Sequence, residues 1–279
     1  MLRWMIGCLF CVCLAQPVFA QDAKVAANVL VSPSSHNTYN VQATNYFYGP
    51  VEMEITMSPP SENIQSNPAL PIRILLSPLE TRTIASLTPI NHSYGGRFSI
   101  NAKVIPGSPN ARHQDNYAYA WPIASGVGRI EQGFGGKQSH TDPENYYAID
   151  IAAPPGTHVI ASRPGVVMAV EDRFTQSGLD PSLLTRSNYV RVLQEDGTMA
   201  VYVHLQHGGI RVVVGQSIAT GQLIGLVGDV GFASGPHLHF AVQINHNFSL
   251  QTVPFRMYQP PGAGDDLIKP HTMIGTASR

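Results

Sequence analysis

The chain has 279 residues, of which 43% are hydrophobic and 13% charged, and its formal net charge is −1 at pH 7. That apolar content excludes a disordered chain, and the near-neutral balance excludes a nucleic-acid binder that relies on a broad basic face. Twenty-five glycines and 22 prolines are too many for a helical bundle and suit strands joined by tight turns.

The first 20 residues predict a signal peptide. Arg3 supplies the positive start, Trp4 to Ala15 is an apolar run, and Val18 and Ala20 offer small side chains before a cut at Gln21. As a helix this run would span about 18 Å, short of a bilayer, and no later stretch is apolar enough to cross one. The expectation is an exported protein, periplasmic or secreted, with no transmembrane segment in the mature chain. Cys8, Cys11 and Cys13, the three cysteines of the chain, all fall in this segment. The processed chain therefore has no disulfide, Cys-ligated metal or cysteine nucleophile.

Residues 21–118 read as short strands broken by proline and glycine. Val51 to Met57 alternates apolar and polar with period two, as a strand buried on one face does. Pro71 to Leu76 and Arg97 to Val104 are similar, with Pro59-Pro60, Ser77-Pro78 and Tyr94-Gly95-Gly96 as breaks. The expectation is an immunoglobulin-like β-sandwich with no catalytic cluster, in which Tyr39, Tyr46, Phe47 and Tyr48 serve packing. Gly107 to Gln114 reads as a linker.

Residues 119–250 continue as an all-β, antiparallel region. Val159 to Ala161, Val166 to Val170, Tyr189 to Leu193, Met199 to Leu205, Val212 to Val214, Gln222 to Val227 and His237 to Ile244 are the expected strands. Asp196-Gly197 marks a hairpin. Helix is expected only at 180–185, inside a polar insertion at 172–188. No βαβ alternation or nucleotide-binding glycine loop occurs. Residues 251–279 read as a loosely packed tail.

The chemistry lies in histidines. In His237-Leu238-His239-Phe240 the two imidazoles project from one strand face while Leu238 and Phe240 enter the core. On Met199 to Leu205 the alternation predicts Val201, Val203 and Leu205 inward, with Tyr202 and His204 on the opposite face. Asp150, between Ile149 and Ile151, needs a cationic partner if buried, either a metal or a basic side chain such as Arg163 or Lys137. His140 completes the set. Two imidazoles and one carboxylate make a three-ligand zinc site with an open fourth position, the catalytic pattern. The metal would activate water, and the remaining two histidines would orient that water and move protons.

The second half resembles the lysostaphin/LytM-type zinc metalloendopeptidases, which cut peptide bonds in bacterial peptidoglycan. The matching segments are Gly133-Phe134, Ser139-His140, Tyr147-Ala148-Ile149-Asp150, Pro155 to Ala161, Gly165-Val166-Val167, Tyr202 to Leu205, Val214-Gly215-Gln216, Gly221 to Gly225, and Ser234 to Phe240. The resemblance implies a β-sheet peptidase domain of the barrel-sandwich type. It further implies one zinc held by His140, Asp150 and His239, and a catalytic pair in His204 and His237; Tyr202 is expected to help shape the substrate groove. One departure stands out. The family usually places three residues between its first histidine and the aspartate, whereas here Thr141 to Ile149 intervene.

Other readings are weighed against this one. Sugar-phosphotransferase carriers use paired histidines without zinc, and lipoyl or biotin carriers need a Met-Lys hairpin that is absent here. A catalytically silent wall-binding or amidase-activating regulator of the same fold is the remaining alternative. His158 is expected to line the groove, His207 is read as lying outside the site, and Asp142 and Glu144 are the nearest alternative carboxylates behind Asp150. His36, His92, His113, His246 and His271 are expected to be solvated.

Overall fold

The computed structural model describes residues 27–34, 37–123, 127–258 and 268. The expected signal segment, His36, His271 and most of the expected tail lie outside the described residues. Nearly all the regular structure among the described residues is strand, and no helix among them is long and apolar enough to cross a membrane.

Seven strands form the N-terminal part: β1 (Ala27–Pro33), β2 (Tyr39–Asn45), β3 (Val51–Glu62), β4 (Ile64–Asn67), β5 (Ile72–Leu76), β6 (Thr81–Pro89) and β7 (Arg97–Pro106). They pair in two sheets, β1-β2-β6-β4 and β5-β3-β7. The period-two segments behave as their patterns require. Val51, Met53 and Ile55 from one sheet and Val41, Ala43 and Leu87 from the other are buried in a single apolar cluster.

The C-terminal part opens with β8 (Ala118–Tyr119), β9 (Arg129–Gln132), β10 (Ile149–Ala152), β11 (His158–Ile160) and β12 (Gly165–Glu171). It continues with β13 (Ser177–Gly178), β14 (Tyr189–Leu193), β15 (Met199–Val203), β16 (Ser217–Ile218), β17 (Leu223–Leu226) and β18 (Gly231–Phe232). It closes with β19 (His237–His246), β20 (Ser249–Thr252) and β21 (Arg256–Met257). The main sheet runs β16-β12-β14-β15-β19-β10-β9, with β20 on β19. One face carries Ile149, Ile151, Val190, Val192, Ala200, Tyr202, Leu238, Phe240 and Val242 into a core shared with Val159 and Ile224 of the β11-β17 pair. Gln132, Asp150, His239, Val203, Tyr189 and Glu171 are successive partners across β9, β10, β19, β15, β14 and β12. They form one row on the other face.

Several expectations are corrected. The tail does not begin at 251: Phe255 and Met257 are only 4% exposed and belong to the core, and β21 pairs in parallel with β8. Their apolar spacing was hidden by the proline run that follows. Ile268 also packs against this core. Val212 to Val214 is no strand, because only Val212 is buried and Val213 is 68% exposed. The expected helix at 180–185 is one 3-10 turn, Pro181–Leu183, capped by Asp180, which accepts from the Ser182 N–H at 2.8 Å.

The linker is clamped rather than free. The Arg112 N–H donates to Asp196 O at 2.7 Å, and Arg163 donates to Gln114 Oε1 at 3.0 Å. The two parts of the chain share an interface as well. Met168 and Met199 leave the main sheet to join the N-terminal core. Gly107, at φ +90°, passes so close to Met199 that a Cβ there would lie 2.6 Å from the methionine methyl. Asn245 on β19 donates to Glu52 Oε2 at 2.7 Å and to Gly107 O at 3.3 Å.

Candidate metal centre

The centre is assembled by sheet register. β10 and β19 are antiparallel with Asp150 opposite His239 and Ala152 opposite His237, so one carboxylate and two imidazoles meet on the polar face while Leu238 and Phe240 fill the core behind them. His140 arrives from the connection between β9 and β10. Its backbone N–H donates to Gly136 O at 3.0 Å, and its ring is fully buried.

Asp150 Oδ1 lies 2.9 Å from His239 Nδ1, 3.3 Å from His140 Nε2 and 3.9 Å from His237 Nε2. The ligand atoms of His140, Asp150 and His239 all fall within 4.8 Å of one another. His140 Nδ1 donates to Gly133 O at 2.8 Å, which fixes the tautomer and turns Nε2 inward. That buried Nε2 has no hydrogen-bond partner, the Asp150 oxygen being within ion-pair range but outside hydrogen-bond geometry. An orphaned buried acceptor is costly. It is resolved if the lone pair binds a metal, and two imidazoles with one carboxylate suit zinc. The residues present therefore fit the ion.

Electrostatics agree with this arrangement. Burial pushes the Asp150 carboxyl up, but contact with His140 and His239 outweighs it and holds the group well below its ordinary value. The same carboxylate raises His140 against the opposing effect of burial.

His204 and His237 are held differently. His204 Nδ1 donates to Val230 O at 2.9 Å and His237 Nδ1 to Gly235 O at 2.9 Å, which leaves each Nε2 for chemistry. The two rings stand 4.6 Å apart between centroids, and His204 is 6.2 Å from His239. Burial, followed by the neighbouring His237 and His239, lowers the His204 pKa to about 3. His204 is thus a neutral imidazole at physiological pH.

The expected strand geometry around Tyr202 is overturned. Tyr202 is 0% exposed and lies in the core, where its hydroxyl accepts from the Ser162 N–H at 2.8 Å. Val201 and Val203 instead occupy the polar face beside Ala241. His204 nevertheless reaches that face because its backbone is left-handed, φ +63°, and this breaks the alternation just past the end of β15. Tyr202 therefore lines no groove.

The other candidates fall outside the centre. Arg163 pairs with Asp196 at 2.7 Å, not with Asp150. Asp142 accepts from the Glu144 N–H and the Asn145 amide, and Glu144 is exposed. His207 bonds to Asp172 O at 2.8 Å and is exposed, as is His158. His113 is not solvated: its side chain is 11% exposed and bonded to Asp115.

Sequence reasoning missed Gln132, which is 5% exposed and donates to Asp150 Oδ2 at 2.9 Å. No alternation signals it: Ile130, two residues back, lies in the core, and the register shift between Asp150 and Ile151 brings Gln132 to the polar face. The carbonyls of Gly133, Val230 and Gly235 carry no side-chain signal at all.

Residues 144–249 match the model of Peptidase family M23. The match spans 106 of the chain's 279 residues. Similar curated proteins include the peptidoglycan DD-endopeptidase ShyA of Vibrio cholerae serotype O1, 37% identical over 91 residues, or 33% of this chain and 18% of that protein. The glycyl-glycine endopeptidase ALE-1 of Staphylococcus capitis is 30% identical over 115 residues, 40% of this chain and 29% of that protein. Among solved structures, the catalytic domain of the prophage-encoded M23 protein EnpA from Enterococcus faecalis is 26% identical. That match covers 48% of this chain and 92% of that one, with a TM-score of 0.37. The chain spans less than a third of the length of the curated relatives it matches. His140 lies just outside the matched M23 segment, whereas Asp150, His204, His237 and His239 lie within it.

Proposed function

We propose that this protein is an exported zinc metalloendopeptidase that hydrolyses peptide bonds in bacterial peptidoglycan, in its cross-links or stem peptides. The observation that carries the reading is the division of labour among imidazoles. His140 and His239 converge with Asp150 on one point, while His204 and His237 are braced by backbone carbonyls beside it. Relatives named for cutting D,D and glycyl-glycine bonds support peptidoglycan as the substrate class. The basic-then-apolar start of the sequence supports export. The domain division proposed is a signal peptide over 1–20, an immunoglobulin-like sandwich over 21–118 and the peptidase from 119.

Zinc bound by the three ligands supplies Lewis-acid polarisation of the scissile carbonyl and lowers the pKa of a bound water. The protein's own residues do the rest. His204, neutral and with its Nδ1–H fixed on Val230 O, presents Nε2 as the acceptor for the proton of the attacking water. His237, anchored through Nδ1 on Gly235 O, offers an Nε2–H when protonated, as a donor to the oxygen that becomes negative and then to the leaving amine. Asp150 neutralises the cationic cluster and keeps His239 in register across β10 and β19.

The test is metal content of the purified protein together with release of soluble muropeptides from whole sacculi. One zinc per chain with new peptide ends, both lost in His239→Ala, is the expected result. Zinc without release on any wall type, or no zinc, would overturn the reading.

A further inference from the structure

The departure noted in the sequence poses a geometric problem. A first histidine separated from its aspartate by three residues is tied to it by the chain itself, but here nine residues, Thr141 to Ile149, separate His140 from Asp150. Something else must hold the two segments in register. Asp142 and Asn145 fold the intervening loop on itself, and Pro143 O accepts from Thr252. None of these contacts reaches His140 or Asp150.

We propose that Gln132 is a positioning residue that couples the His140-bearing loop to Asp150 and thereby takes over the work of the shorter connection. This rests on the metal-site reading above. Gln132 sits directly opposite Asp150 in the β9–β10 register. Its Nε2 donates to Asp150 Oδ2 at 2.9 Å and to Ser139 Oγ at 2.7 Å. Its Oε1 accepts from the Gln138 N–H at 3.0 Å and the Ser139 N–H at 3.4 Å. Every hydrogen-bond partner of this buried amide is thus either the ligand carboxylate or one of the two residues that precede His140. No partner belongs to the sandwich or to the core behind the sheet.

The division of the carboxylate follows from this. Oδ2 is spent on Gln132, while Oδ1 faces His140 and His239, so the ligand is presented through one oxygen in a fixed orientation. Outer partners of this kind set ligand geometry, and their loss typically costs about 10–100-fold in metal affinity or activity.

Gly136 gives an independent handle on the same side chain. A Cβ built at Gly136 would lie 2.1 Å from Gln132 Cγ and 2.5 Å from its Cδ. Gly136 is not among the glycines at positive φ, so alanine there introduces no backbone strain of that kind. Its effect is to displace Gln132.

The experiment measures zinc affinity of the metal-depleted full chain by chelator competition, with the visible absorption of the cobalt-substituted protein as a geometric readout. Wild type, Gln132→Ala, Gly136→Ala and the double variant are compared, and the thermal midpoint of each metal-free form reports folding. Gln132→Ala is expected to bind zinc roughly 10–100-fold more weakly and to shift the cobalt spectrum. Gly136→Ala is expected to weaken binding similarly, yet to add less than about threefold once Gln132 is already alanine, because coupled neighbours are non-additive. If Gln132→Ala fails to fold, Gly136→Ala alone carries the test on the same terms. Wild-type zinc affinity in a folded variant lacking the Gln132 contacts, or fully additive losses, would overturn the coupling. Failure of the wild-type protein to bind zinc would instead overturn the metal-site reading on which it rests.

Discussion

Replacing Arg163 with methionine tests whether the clamp on the linker stores the stability its geometry implies. Arg163 donates to Asp196 Oδ2 at 2.7 Å, to Gln114 Oε1 at 3.0 Å and to the Tyr119 hydroxyl at 3.3 Å, and its guanidinium lies 4.0 Å from the Tyr117 ring centroid. The paired side chains are 4% and 1% exposed. Methionine keeps most of the apolar stem but strands the Asp196 carboxylate with only Thr198 and the Gln114 N–H as donors. Removing one partner of a buried pair costs about 3–5 kcal/mol. In a chain of this size each kcal/mol moves the thermal midpoint by about 2–4 °C, so a fall of roughly 6–20 °C is expected.

The pH dependence supplies the sign. Burial raises the Asp196 pKa, but bonds from Thr198 and Arg163 outweigh it and leave the group below its ordinary value. A carboxylate depressed in the folded state stabilises above its unfolded pKa of about 3.9, and that contribution disappears as pH falls through the lower folded value. The gap between wild type and Arg163→Met should therefore be full at pH 7 and shrink below about pH 4. Scanning calorimetry of the metal-depleted proteins at pH 7 and pH 3 measures both. A loss under about 1 kcal/mol at pH 7, the range of an exposed pair, or a gap that widens in acid, would refute the reasoning.

Three further outcomes are expected. His204→Ala and His237→Ala should each retain zinc while lowering turnover on muropeptides about 10²–10⁴-fold; loss of zinc in either would reassign that residue as a ligand. Tyr202→Phe should leave KM unchanged and cost about 0.5–1.5 kcal/mol of stability through the lost Ser162 contact, so a raised KM would return the ring to the groove. Acidification should release zinc, because the ligand imidazoles bind only when neutral. His140, held above its ordinary value by Asp150, should compete with the metal for a proton at higher pH than an ordinary imidazole would, a competition read as zinc occupancy across a pH series.

The part of the candidate centre that could be read from the sequence is its one local pair. His237 and His239 are two residues apart on one strand, so period-two geometry alone puts both imidazoles on one face, and β19 does so. A carboxylate between two isoleucines demands a partner wherever it is buried. The same rule misplaced Tyr202, since alternation holds only while the backbone stays extended. The left-handed turn at His204 lets the histidine reach the polar face while Tyr202 stays in the core.

Residue types, alternation and turn signals along the chain determined an all-β protein, its strands in the N-terminal sandwich and the inventory of possible ligands. Tertiary structure alone decided what depends on pairing between distant segments. The Asp150–His239 and Asp150–Gln132 registers join residues from β9, β10 and β19, and no local pattern encodes which strand lies beside which. The docking of Met168 and Met199 on the N-terminal core and the burial of Phe255 and Met257 are of the same kind. In the last two cases an apolar side chain finds its partner through packing across the fold, where area removed from water, and not sequence neighbourhood, sets the energy.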